Sequence, residues 1–146
     1  GSAGNKTAAV VFGGSTAPPS GSNRTAATNE YDGSSWTGGG AMPAVTMQMA
    51  NLGTQTAAGS FGGVQPPGNI SGDTDYSATY NGTAWTAKNN MSTGRYYSAG
   101  TGTTTAGIVM GGVSPPGAVT ANTETFDGTS WTEVGNLVTA KILYIS

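Results

Sequence analysis

Neither cysteine nor histidine occurs anywhere in the 146-residue chain. The first absence excludes disulfide staples, thiolate metal sites and cysteine nucleophiles. The second removes the commonest general base and the commonest metal ligand. Charge is scarce as well: only 8% of residues are Asp, Glu, Lys or Arg, where about a quarter is ordinary. Five basic and seven acidic side chains leave a net charge of −2. There is no basic stripe for a phosphate backbone or an anionic lipid surface to grip, so neither nucleic acid nor a membrane is expected as a partner. No apolar run approaches the roughly 20 residues that cross a bilayer as a helix. No sustained 3.6-residue hydrophobic period is present, and helix content is expected to be near zero.

What the chain does have is glycine, 25 residues of it, and a stretch that occurs three times. It reads Tyr31-Asp32-Gly33-Ser34-Ser35-Trp36-Thr37, then Tyr80-Asn81-Gly82-Thr83-Ala84-Trp85-Thr86, then Phe126-Asp127-Gly128-Thr129-Ser130-Trp131-Thr132. Asp-Gly and Asn-Gly supply the positive φ angles of a tight hairpin turn, so each copy reads as strand, turn, strand. Glycine doublets fall at Gly13-Gly14, Gly62-Gly63 and Gly111-Gly112, at intervals of 49 and 49 residues, and the tryptophans recur at 49 and 46. The three missing residues lie between the last doublet and Phe126, which marks that segment as a surface loop.

Four strand signals recur in each unit. The first covers residues 46–50, 95–99 and 141–145; the second, 8–12, 57–61 and 106–110, leads into the doublet. The third ends at the aromatic of the hairpin and the fourth carries the Trp. Between the second and third lies a loop with a proline pair (Pro18-Pro19, Pro66-Pro67, Pro115-Pro116), which cannot donate to a sheet ladder and so ends the strand. Four short antiparallel strands in a unit of about 45–50 residues is the arithmetic of a propeller blade, with the small residues near the axis and the aromatics between blades. The expected fold is therefore an all-β propeller of four-stranded antiparallel blades, three per chain. The array is one domain, 1–146, with repeats at approximately 1–49, 50–98 and 99–146.

A Gly doublet closing a strand, an aromatic before Asp-Gly, then a Trp, on this period, resembles the kelch repeat along essentially the whole chain. Glycine-, Thr- and Ser-rich phrasing such as Asn29-Glu30-Tyr31-Asp32-Gly33-Ser34-Ser35-Trp36-Thr37 is similar to phage-encoded kelch-like proteins of tail-fibre type. The kelch pattern has a basic residue entering the first strand; Arg95 and Lys141 match it and Thr46 does not, while Met110 replaces Phe before the third doublet. The resemblance implies a structural or attachment role, and an extracellular or virion-surface location.

Three blades cannot close a ring, since propellers close with about four to eight. Gly1 to Gly4 align with Ala99 to Gly102 at the end of an innermost strand, so the first blade is expected to lack a strand and the last segment to be a strand lacking a blade. Lys141, Ile142, Leu143, Tyr144 and Ile145 are accordingly the expected assembly residues. They would complete the first blade of a partner, so that a homodimer forms a six-bladed ring. A filament of fibril subunits and a longer array are the alternatives.

No constellation carries chemistry. Asp32 and Asp127 sit in hairpin turns, and Asp73-Thr74-Asp75 offers the oxygen ligands of a hard cation in a pattern a solvated loop shares. No enzyme activity, catalytic residue, metal or cofactor is expected. In an up-and-down blade the loops after strands two and four share a face, which collects residues 15–28, 64–75 and 113–121 with 38–42, 87–91 and 133–137. Asn23, Arg24, Gln65, Asp73, Asp75, Lys88, Asn89 and Asn90 lie there, a polar set suited to a glycan or a host surface protein, as in a lectin-like module.

Overall fold

The computed structural model describes residues 1–17, 23–65 and 75–143. Among these there is no helix, and the strands form three four-stranded antiparallel sheets and one small hairpin. The first blade is β1 (Ser2–Asn5), β2 (Ala8–Phe12), β3 (Thr28–Tyr31) and β4 (Trp36–Gly39). The second is β5 (Ala50–Thr54), β6 (Ala57–Phe61), β7 (Ser77–Tyr80) and β8 (Trp85–Ala87). The third is β9 (Ala99–Thr103), β10 (Ala106–Met110), β13 (Thr123–Phe126) and β14 (Trp131–Val134). Between β10 and β13 the hairpin β11 (Val113–Ser114) and β12 (Ala118–Val119) surrounds the Pro115-Pro116 pair. The pairs Pro18-Pro19 and Pro66-Pro67 lie outside the described residues.

Each sheet runs in sequence order from inside to outside, and the inner strand β5 lies between β1 and β9. The second strands are those the hydrophobic pattern gives. Alternation buries Val10 and Phe12 while Val11 faces out, as a pleated strand requires. The doublets adopt left-handed φ at both residues in all three copies, 60° and 95° at Gly13 and Gly14. A side chain on Gly13 would also collide with the Thr46 carbonyl, 2.7 Å from where its Cβ would stand, and at Gly111 the Lys141 carbonyl is 2.8 Å away. The doublet is therefore both a corner and a landing place for the next segment of chain.

That segment corrects the expected first strand. Residues 46–48, 95–97 and 141–143 are crossovers, not innermost strands. Gly14, Gly63 and Gly112 donate their N–H to the carbonyls of Thr46, Arg95 and Lys141 at 2.9, 2.9 and 2.7 Å. Gln48 and Tyr97 then take left-handed φ of 61° and 53°, which breaks any extended run, and the inner strand begins only at Ala50 and Ala99. The apolar Met47, Tyr96 and Ile142 read as strand because of their packing beneath the crossovers: Tyr96 is buried with Val64 and Val113, and the half-buried Met47 and Ile142 pack against that cluster.

The first blade is likewise whole. Ser2–Asn5 pairs with Val11 to Ala8 in the register that β5 and β9 use with β6 and β10, so the strand expected to be missing is present and no partner strand is needed there. Lys141 to Leu143 form the third crossover, with Leu143 N–H donating to the Tyr97 carbonyl at 2.9 Å; Tyr144 and Ile145 lie outside the described residues.

The hairpin turns also differ in detail from expectation. Only the glycine takes positive φ (98°, 89° and 99° at Gly33, Gly82 and Gly128); the Asp or Asn before it acts through its side chain. Asp32 Oδ1 accepts the N–H groups of Ser34 and Ser35, Asn81 Oδ1 those of Thr83 and Ala84, and Asp127 Oδ1 those of Thr129 and Ser130. These Asx turns close four-residue loops by main-chain bonds of 3.2 Å. The backbone donors hold the Asp32 and Asp127 carboxyls below the ordinary carboxylate range. Because those pKa values are depressed on folding, the carboxylates stabilise the fold above about pH 4 and lose that contribution as pH falls through the folded values. The amide of Asn81 does the same work without titrating. Asp32→Asn with Asp127→Asn is therefore expected to flatten the fall of Tm between neutral pH and about pH 2 relative to the parent, read by circular dichroism melts.

Candidate functional site

One contact between blades is repeated at both junctions. Trp85, first residue of β8, crosses to the first blade, meets Phe12 edge-on at 4.7 Å between ring centres and donates its indole N–H to Thr28 Oγ1 at 2.9 Å. Trp131 does the same one blade later, edge-on to Phe61 at 4.8 Å and donating to Ser77 Oγ at 3.0 Å. In both cases the ring and hydroxyl are cross-strand partners, Phe12 with Thr28 and Phe61 with Ser77. Edge-to-face geometry and a satisfied indole N–H are what a buried Trp needs. Beside the first junction the Tyr80 hydroxyl donates to Glu30. Burial, then this carboxylate, push the Tyr80 pKa up to about 12.

The second junction also contains an ion pair with no exposed surface. Arg95 donates to Glu124, to the Asn122 carbonyl and, at 3.2 Å, to the Thr93 carbonyl. Glu124 also accepts the N–H of Ser92 at 2.7 Å and of Thr93 at 3.1 Å. Burial pushes the Arg95 pKa down and the Glu124 charge pulls it back up. This carboxylate is a structural clamp on the crossover, engaged on both oxygens.

The expected loop residues form two separate groups. Arg24 bridges Ser15 and sends its guanidinium to the Val64 carbonyl at 3.2 Å, which brings it beside Gln65 in the second blade. Arg24 Nε and Gln65 Nε2 are buried without a hydrogen-bond partner. Asn23 is exposed, and its carbonyl receives Thr16 N–H at 2.8 Å. In the other group the Asp75 carbonyl accepts Met91 N–H, and Lys88 N–H donates to Ser77, both at 2.9 Å, with Asn89 and Asn90 exposed between them. The loops after the second and fourth strands are thus adjacent in each blade, a pairing repeated by Met42 to Ala26 and Leu137 to Ala121. Asp73 lies outside the described residues. Among the described residues no group of three or more acidic side chains stands close enough to hold a metal.

Sequence reasoning missed a cavity of about 400 Å³ beside the inner strands, lined by Gln48, Met49, Asn51, Tyr97, Ser98 and Leu143. Asn51 Oδ1 and Ser98 Oγ are buried there without a hydrogen-bond partner. Gln48, Tyr97 and Leu143 occupy equivalent crossover positions, linked by Tyr97 N–H to Gln48 at 3.0 Å and Leu143 N–H to Tyr97 at 2.9 Å. The only signal in the sequence was that equivalence, 49 and 46 residues apart.

Three like sheets stacked through one recurring Trp contact around their inner strands define a propeller-like all-β protein. No protein-family model matches the chain, and no curated protein matches it.

Proposed function

We propose that the protein is a non-enzymatic structural or attachment module of kelch-like type, in which two copies together make a six-bladed ring, displayed outside the cell or on a virion as in tail-fibre-like proteins. The observation that carries this reading is the contrast between equivalent tryptophans. Trp85 is 8% exposed and Trp36 is 53% exposed, so the first blade presents the stacking surface of a blade with nothing stacked on it. Exposed aromatic surface of this kind marks an interaction site. The residues at the junctions are engaged in packing and hydrogen bonding, which suits a scaffold. Light scattering at micromolar concentration is expected to give twice the 14.4 kDa of the chain. A mass of 14.4 kDa that persists at high concentration overturns the two-copy ring, and species growing without limit identify the filament instead.

A glycan-binding role is the second reading, favoured by the cavity beside Gln48 and Tyr97. Its unpartnered Asn51 and Ser98 oxygens and its Tyr97, Met49 and Leu143 walls suit a small neutral hydroxylated ligand such as a monosaccharide. Ser98→Leu, which closes off the hydroxyl, is expected to weaken monosaccharide binding at least tenfold in isothermal titration; absence of any binding by the parent chain ends this reading.

A further inference from the structure

The two junctions inside the chain share a register that leaves one surface of each kind unused. The second blade meets the first with Ala58, Ser60, Ala78, Tyr80 and Trp85; the same positions in the first blade are Ala9, Val11, Asn29, Tyr31 and Trp36. Ser60 has no exposed surface, whereas Val11 is 40% exposed. At the other end of the chain the third blade carries the receiving surface. Met110 and Thr123 are cross-strand partners there, where the first blade has Phe12 and Thr28 and the second has Phe61 and Ser77. Thr123 Oγ1 donates to the Ala121 carbonyl at 3.4 Å, which leaves its lone pairs to accept an indole N–H. A cavity of about 390 Å³ opens beside Ile108, Thr125 and Thr132; in the first blade the position of Thr125 is held by Glu30, and the Tyr80 hydroxyl of the second blade enters to reach it.

We infer that Trp36 of one copy docks on Met110 and Thr123 of a second copy, in the register that Trp85 and Trp131 use within the chain. The inference rests on the two-copy reading above and specifies its contact surfaces. Tyr31 fills the cavity beside Thr125, and the flexible Met110 takes the place of the phenylalanine under the indole. The contact is heterologous, so two of them related by a twofold axis close a ring and an unclosed series gives a filament.

A second set of positions gives each junction its own chemistry. Opposite the first crossover the trio is Pro43, which has no N–H, Thr46, which has no charge, and Ala78, which has no side-chain acceptor. Opposite the second it is Ser92, Arg95 and Glu124, joined by hydrogen bonds from Ser92 N–H and Arg95 to the Glu124 carboxylate. The third crossover offers Val138 N–H and Lys141, both residues exposed, and the matching position of the first blade is the exposed Asn29. An amide oxygen can accept from both an N–H and an ammonium. Arg95 facing Ala78, or Glu124 facing Pro43, would leave a buried charge unpaired, so the pairings reject the wrong register as well as favouring the right one.

The test compares three variants by sedimentation velocity, with circular dichroism melts to confirm folding. Trp36→Ala is expected to weaken association about 30-fold or more. Asn29→Glu recreates the Arg95–Glu124 arrangement with Lys141 and is expected to tighten association about tenfold, a gain that a folding defect cannot produce. Lys141→Ala in the Asn29→Glu background is expected to cancel that gain. If the parent associates but all three variants match it, the register is overturned while the two-copy reading stands. If the parent itself stays monomeric, both fall.

Discussion

Replacing Arg95 with alanine is expected to destabilise the chain by about 3–5 kcal/mol, because it strands the Glu124 carboxylate in a site with no access to water. Glu124 keeps the Ser92 and Thr93 N–H groups after the change, so the loss is that of the counter-charge and of the guanidinium's bonds to Thr93 and Asn122. Urea unfolding reads it as a fall in midpoint at unchanged slope. The instructive comparison is internal. Arg95→Thr with Glu124→Ala gives the second junction the residues Thr46 and Ala78 that the first junction uses. This double variant is expected to recover at least half of the loss, since a buried ion pair removed as a pair leaves no uncompensated charge. A double variant as unstable as the single one would mean that the guanidinium holds the crossover by shape and main-chain bonds rather than by pairing with Glu124.

The reason such a swap can be posed at all is that the blades form a nearly one-dimensional stack, each packing on its sequence neighbours through the same set of positions. Stability is then a sum over junctions, and each junction is stabilised by a few residues: a Trp, the ring and hydroxyl it covers, and the trio at the crossover. The inner strand adds little specificity of its own. Gly4, Gly53 and Gly102 all sit at positive φ near 100°, each facing a carbonyl 2.0–2.3 Å from where a Cβ would stand. That strand is spelled almost entirely in Gly, Ala, Ser, Thr and Asn.

This spelling explains where the sequence was legible and where it was not. Residues 8–12, 57–61 and 106–110 carry enough Val, Ile and Phe before the doublet to announce their strands, and the aromatic-to-Trp hairpins announce the next two. The inner strands Asn51-Leu52-Gly53-Thr54 and Gly100-Thr101-Gly102-Thr103 have no such signal, while Met47, Tyr96 and Ile142 just before them do. Burial beneath the crossover, not strand pairing, selects those apolar residues, and the strand assignment slipped upstream by about four residues for that reason. The slip hid the completeness of the first blade. Of the loop residues, Arg24 reads in the sequence as one of a polar set suited to a glycan or a protein surface, and its guanidinium ties the first blade to the Val64 carbonyl of the second. The Arg95–Glu124 pair was only half visible: Arg95 fitted the basic position of the repeat, and its partner lies 29 residues on, in the third blade.

The tryptophans give the sharpest measurement of what a neighbouring blade contributes. Trp85→Ala is expected to cost about 3–5 kcal/mol, the range for deleting a buried aromatic, since it vacates the space against Phe12 and leaves Thr28 without its indole donor. Trp36→Ala deletes the same side chain from the equivalent position of the first blade, where it is 53% exposed and touches Tyr31 of its own hairpin. In the dilute monomer it is expected to cost less than about 1 kcal/mol. The residue, the strand position and the turn beside it are matched, so the difference between the two losses isolates the cover supplied by the adjacent blade. Thermal melts over a hundredfold range of protein concentration then extend the comparison. Association stabilises the folded chain by mass action, so the parent Tm is expected to climb with concentration. The Trp36→Ala Tm is expected to stay level, and the gap between them at high concentration approaches the Trp85→Ala loss as the open face of the first blade becomes covered like the other two.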